Sequence, residues 1–280
     1  MLFFNRSKHI KKCLDNWRSI IGGSLLVFII LLAILAPYIA PYSPLDIKVT
    51  ERLELPNHKN IFGTDYYGRD VFSRVIWGAR VSLFVGILVS IIVGIFGTII
   101  GLIAGYSDKA SRLLMGTMDG FMAFPAIFLA LALMSVFGAG TMQVIYAISI
   151  VYIPRCARVV RSCVLPLRSL SFVKAARSIG NPHWRIIFKH ILPNIVSPLV
   201  IQMSVTFSNA ILSEAGLSFL GVGQPPPMPS WGNILSEGRV VIWNAPWVSF
   251  FPGIAIFITV LALNVLGDGL RDKLDPKFRV

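Results

Sequence analysis

Charge is scarce in this chain. Of 280 residues only 14% are Asp, Glu, Lys or Arg, where a soluble domain carries about a quarter. Acid is scarcer still: 13 acidic residues face 26 basic ones, for a formal net charge of +13. Cysteine is nearly missing. Cys13, Cys156 and Cys163 show no ligand spacing and cannot all pair, so no disulfide framework is expected. His9, His58, His183 and His190 are scattered and form no metal constellation. There is no Gly-x-x-x-x-Gly-Lys-Ser/Thr loop for nucleotide phosphates, and no nucleophile–base set. Catalysis, a cofactor and a bound metal are therefore not expected.

What is abundant is apolar surface, at 55% hydrophobic residues. In water such a chain would expose large sticky patches, so the sequence reads as an all-α integral membrane protein. Six apolar runs are long enough to cross about 30 Å of hydrocarbon. They are roughly Ile20–Ile39, Val81–Tyr106, Met118–Phe137, Thr141–Val160, Ile195–Leu220 and Phe250–Leu266. The first follows a basic segment but is longer than a signal-peptide core, and reads as a retained helix. Pro125 inside the third run predicts a kink or irregular start. Gly97, Gly101 and Gly105 form a small-residue stripe on the second, where another helix can approach closely.

Residues 41–79 are mixed and polar and predict an ordered lobe between the first two spans. Residues 221–246 form a second loop. Its prolines 225–227 and 229 predict a stiff extended segment, and Trp231, Trp243 and Trp247 suit an interface with the membrane. Six spans place both termini on one side. That side holds 19 of the 26 lysines and arginines, while the charges on the other side nearly cancel. The asymmetry predicts cytoplasmic termini. Basic residues confined to short segments between spans argue against nucleic-acid binding. The spans themselves imply contact with the lipid bilayer.

The longest charged interruption in the second half is Ser171–Pro193, SFVKAARSIGNPHWRIIFKHILP. Phe172, Ala175, Ala176 and Ile179 fall at helical spacing, as do Trp184, Ile187, Phe188 and Ile191. The segment predicts two short amphipathic helices on the cytoplasmic side. Ser171 is the expected cap of the first and Gly180 its left-handed stop. Asn181 and Pro182 are expected to start the second. A hairpin lying flat on lipid is the competing reading.

Ala175-Ala176, Gly180 and Leu192-Pro193 resemble the cytoplasmic loop of ABC-importer permeases. His58–Gly86 (HKNIFGTDYYGRDVFSRVIWGARVSLFVG), Ser213–Leu235 and Phe251–Pro276 resemble conserved stretches of the dipeptide, oligopeptide and nickel permeases. The resemblance implies residues 1–79 as an N-terminal segment, first span and external lobe, with residues 80–280 as a five-helix permease core. It implies a prokaryotic cytoplasmic membrane and a path formed with a second, homologous permease. It further implies two ATPase subunits on separate chains and an extracytoplasmic solute-binding protein. The solute would be di- or oligopeptides, with nickel or a metal chelate as alternative. A stand-alone secondary transporter is the rival class.

On that reading Ala175, Ala176, Gly180, Trp184, Leu192 and Pro193 form the ATPase-coupling loop. Glu214, the one acid well inside a span, lines the path or pairs with a helix of the partner permease. Asp65, Arg69 and Asp70 contact the binding protein or order the lobe. Lys174 departs from the family's Glu. It leaves Ser171-x-x-Lys174 unable to form a capping box, and slightly weaker local order is expected.

Overall fold

The computed structural model describes residues 17–274, and these form helices and loops with no strand. The basic segment before Trp17, with Cys13, and the tail's Lys277 and Arg279 lie outside the described residues. Five helices are long and apolar enough to cross a membrane without a break. They are α1 (Trp17–Ile34), α2 (Val71–Tyr106), α5 (Thr141–Leu167), α7 (His183–Phe219) and α9 (Trp247–Leu274). Between α2 and α5 lie α3 (Asp108–Met122) and α4 (Ala126–Phe137), bent by 92° to each other.

That break is sharper than a kink. Pro125 precedes α4 with ψ of 133° and supplies no N–H, so helical hydrogen bonding stops there. The 12 residues of α4 reach only about 18 Å, too short to cross alone. The packing of α2 on α5 shows what the pair accomplishes. Gly97 lies against Cys156, Gly101 against Val160 and Gly105 against Val164. Both helices thus advance in the same direction. The chain between two parallel neighbours must return across the layer, and α3 with α4 makes that return. The six expected crossings are therefore present, the third as a broken one.

Two ends of the bundle follow. The lobe (residues 40–70) sits at one end. Its Phe62 stacks on Phe251 at 3.8 Å, and its Thr64 carbonyl accepts a bond from Trp247 Nε1 at 3.2 Å. At the other end Arg18 of α1 pairs with Asp272 of α9 at 3.2 Å, so both ends of the described chain lie together. Asp119 pairs with Arg158 at 2.5 Å. Arg161 donates to Ser111, so Arg158 and Arg161 at the end of α5 both bond within the chain.

The second helix extends well before residue 81. It begins at Val71, and the chain runs through positions 79 and 80 as unbroken helix. Its 36 residues span about 54 Å, which carries its first turns beyond the apolar layer and into the lobe. The loop at 221–246 is not a uniformly extended rod. Pro226 and Pro227 form a turn, joined by a cis bond. The loop also contains helix α8 (Trp231–Val240). Trp231 is buried, its indole donating to the Val75 carbonyl at 2.9 Å. It is a core residue, whereas Trp243 is 95% exposed.

Candidate functional site

The hairpin is built by α6 (Ser171–Ser178) and the start of α7. Gly180 has φ of +79°. Asn181 N–H reaches back to the Ala176 carbonyl and Gly180 N–H to the Arg177 carbonyl. These paired bonds close the Schellman stop that a left-handed glycine permits. The caps differ from expectation. Leu170, not Ser171, is the N-cap of α6, with no side-chain bond. Pro182, not Asn181, precedes the next helix. Ser171 is already helical, so a Glu at 174 would stand one place beyond the capping-box position. The capping-box argument at Lys174 therefore does not apply.

The second helix does not end at Leu192-Pro193. It continues into the membrane as α7 through a π-helical stretch, Ile186–Ile191. Leu192 N–H bonds to the Ile187 carbonyl five residues back. A proline ring inside a regular helix collides with the carbonyl four residues earlier, and the widened turn before Pro193 makes room for it. The hairpin is thereby fixed to a spanning helix without a joint.

Its apolar residues divide into two sets. Val173, Ala176, Ile186 and Ile191 are buried in the core that contains Val160 and Val164 of α5. Phe172, Ala175 and Ile179 face out at positions i, i+3 and i+7, and Trp184 at the start of α7 is 62% exposed. Ala176, expected on the docking stripe, instead anchors the helix. Leu192 is half-buried and Pro193 exposed. Tyr106, at the end of α2, bonds His183 Nδ1 at 2.8 Å and lies under Arg177. The hairpin thus touches α2, α5 and α7 together. Tyr106 escaped the sequence reading, since 77 residues separate it from His183.

Asp65, Arg69 and Asp70 are all buried and do not form an open contact surface. The Asp65 carboxylate accepts four hydrogen bonds: from the Tyr67 and Arg69 N–H groups, from Arg69 Nε at 2.7 Å and from Arg74 Nη1 at 2.6 Å. Arg74 also grips Glu237 of α8 with both Nη atoms, at 2.5 and 3.1 Å. Arg69 bonds the same carboxylate. Two guanidinium groups and two carboxylates balance, which is how a buried charge cluster is tolerated. Asp70 caps α2, accepting from Ser73 N–H at 2.8 Å. Burial pushes the Asp70 carboxyl up, against the bonds from Ser73 that pull it down. Asp65 and Arg69 thus bond the lobe to α2 through Arg74 and to α8 through Glu237, and Asp70 bonds it to the first turn of α2. Glu237 was missed because it lies 163 residues from Arg74.

Glu214 is also internal, at 1% exposure. It lies inside the chain and not on its outer surface. Ser82 of α2 donates to Oε2 at 2.9 Å and Ser218 of α7 to Oε1 at 2.8 Å. Each hydroxyl oxygen in turn accepts a backbone N–H, from Trp231 and Gln224 respectively. Those N–H groups direct both hydroxyl protons onto the carboxylate, which ties the start of α8 to α2 and α7. An amide presents one NH2 face to a hydroxyl already committed to donating. Glu214→Gln is therefore expected to cost about 1–3 kcal/mol. The check is thermal unfolding of the purified protein, in which adding Ser218→Ala should recover part of the loss.

Six crossings, a lobe locked to one end and a hairpin with an exposed apolar stripe at the other define a polytopic helical membrane protein. Residues 97–280 match the family described as binding-protein-dependent transport system inner membrane component, and the chain belongs to it. Residues 10–56 match the N-terminal TM domain of oligopeptide transport permease C. A Brucella suis protein named for peptide transport is 47% identical over 93% of this chain and 88% of its own. The dipeptide transport system permease protein DppC of Alkalihalophilus pseudofirmus is 43% identical over 97% of this chain and 89% of its own. The glutathione transport system permease protein GsiD of Pectobacterium atrosepticum is 44% identical, over 93% and 87%. Among solved structures, a chain of the methionine ABC transporter MetNI in an inward-facing state superposes with a TM-score of 0.55. It has 21% identity and covers 69% of this chain and 94% of that one; it shares the fold. The chain is thus a multi-pass inner-membrane permease subunit.

Proposed function

We propose that this subunit forms, with a second homologous permease, the path by which di- or oligopeptides enter the cell. Two ATPase subunits on other chains drive it, and an extracytoplasmic protein delivers the solute. The dipeptide and glutathione transport names of its relatives support peptides over nickel. The hairpin end, with both ends of the described chain, faces the cytoplasm, and the lobe faces outward; the charge asymmetry supports this orientation. The division into residues 1–79 and 80–280 is retained as a functional one, a lobe-bearing part and a permease core.

One observation carries the proposal. Phe172, Ala175 and Ile179 are exposed on α6, whose opposite side is buried in the core and which a tight turn at Gly180 joins to α7. A stripe mounted this way transmits a rigid push from a docked ATPase, in the helix-in-groove manner. Ala175 lets the partner approach, Trp184 adds contact area, Ala176, Leu192 and Pro193 fix the mount, and Gly180 sets its angle.

Valine at 180 would have to hold a left-handed conformation costing about 1–2 kcal/mol. Gly180→Val is expected to reduce ATP-driven peptide uptake about tenfold, while the protein still inserts and its ATPase partners still hydrolyse ATP. Uptake by reconstituted vesicles measures this, and an unchanged rate would refute the coupling role. Uptake that persists without the ATPase subunits would refute the transport class.

A further inference from the structure

One face of α2 is left without a partner inside the chain. Arg80, Phe84, Ile87, Ile91 and Ile95 lie along it and are all exposed. Towards the hairpin end the groove on this face is apolar, lined by residues such as Ile95, Phe188 and Leu199. At the lobe end its character changes. There a groove of about 620 Å³ is lined by Arg80 and Phe84, by Thr141 and Gln143 at the start of α5, and by Gln224 and Met228 from the loop before α8. Thr141 and Gln224 bond each other across it.

Arg80 is the unusual member. Among the described residues no carboxylate lies within ion-pair distance of it. Its guanidinium is held over the Trp77 ring, 5.0 Å from the centroid. The other cations at this end are mostly committed. Lys48 and Lys59 pair with Glu51, Arg69 and Arg74 with Asp65 and Glu237, and Arg52 donates to the Tyr66 carbonyl. Arg239 lies over Phe219 and does not line the groove. A planar guanidinium braced by an indole keeps its donor fork free, and that fork matches a carboxylate. The Gln143 side chain makes no hydrogen bond within the described chain, so its amide is also available. Val81, Phe84, Met142 and Met228 form the apolar part of the wall.

We infer that Arg80 is the carboxylate-recognition point at the outer mouth of the path. It takes the C-terminal carboxylate of the entering peptide, while Gln143 is placed for the peptide backbone. The inference rests on the permease reading and names a residue that selects among substrates.

The test uses the complete transporter with its binding protein in proteoliposomes, supplied with trialanine or with trialanine amide. Below saturation, Arg80→Gln is expected to lower trialanine uptake about tenfold, the effect of losing one charge-assisted interaction. Uptake of the amide should be unchanged, and Arg80→Lys should restore part of the trialanine rate. ATP hydrolysis stimulated by the binding protein should be unaltered. Equal losses for both peptides, or no loss, would overturn the inference. A loss of stimulated hydrolysis would do so as well, because it would place Arg80 against the binding protein. Direct binding of labelled trialanine to the solubilised complex, with the binding protein left out, removes that protein's own preference. There Arg80→Gln is expected to weaken binding about tenfold, and equal binding overturns the inference. Failure of the transport reading looks different: the unaltered complex would then take up peptide without its ATPases.

Discussion

Replacing Arg74 by alanine is expected to destabilise the protein by about 3–5 kcal/mol, the cost of breaking a buried ion pair from one side. Its side chain is 1% exposed, as is that of Asp65. Without it, Asp65 and Glu237 retain only Arg69 between them, and a negative charge is left uncompensated away from water. Asp65 also loses one of four hydrogen bonds, and Glu237 loses both of its bonds from Arg74. Thermal unfolding in detergent should show the midpoint falling by about 10 °C. Removing Glu237 together with Arg74 restores neutrality, because Asp65 keeps Arg69. The double variant should therefore cost less than the sum of the singles by about 1 kcal/mol or more. Strict additivity would show that the four groups do not act as one network.

A second large effect is expected at the α2–α5 contact. A side chain added at Gly101 would begin 2.6 Å from the Ala157 carbonyl oxygen and from Val160 Cβ. No rotamer relieves a clash with backbone, so the helices must separate. In lipid their attraction comes mainly from close packing, and separation forfeits it along the whole stripe. Gly101→Val is expected to cost about 3 kcal/mol or more, the upper range for overpacking. Low levels of inserted protein and a reduced unfolding midpoint would report it. Gly116→Val is the matched control, since nothing lies within 4 Å of a Cβ there. Because α5 leads directly into the hairpin, a surviving Gly101→Val protein should also transport poorly.

These two sites show different degrees of legibility. The glycine stripe was readable because its meaning is local: glycines four apart on an apolar helix leave a groove whatever fills it. The hairpin was readable for the same reason. Helical spacing marked its two faces, and Gly180 between two apolar stripes marked its turn. Spacing could not say which apolar residues face the partner. Ala175 and Ala176 are neighbours in sequence, and only the position of α5 decides that one is exposed and the other anchored. At Asp65, Arg69 and Asp70 the sequence left open contact with a binding protein or ordering of the lobe. Arg74 and Glu237 draw Asp65 and Arg69 into one charge cluster, and no local signal links positions 163 residues apart.

Glu214 makes the same point. An acid inside an apolar run marks a constrained position, and that much was evident. Its role followed from three segments meeting, with Ser82, Ser218 and the start of α8 arranged so that every hydroxyl proton points at it. Taken alone, the sequence determined the membrane class, the number of crossings, the side on which basic residues collect and the existence of a hairpin. These depend on composition and periodicity, which the lipid layer reads one segment at a time. The tertiary structure decided which polar groups are spent inside the chain and which, like Arg80, are left over. A charge is satisfied by whatever lies beside it in space, and that neighbour is set by how the helices pack.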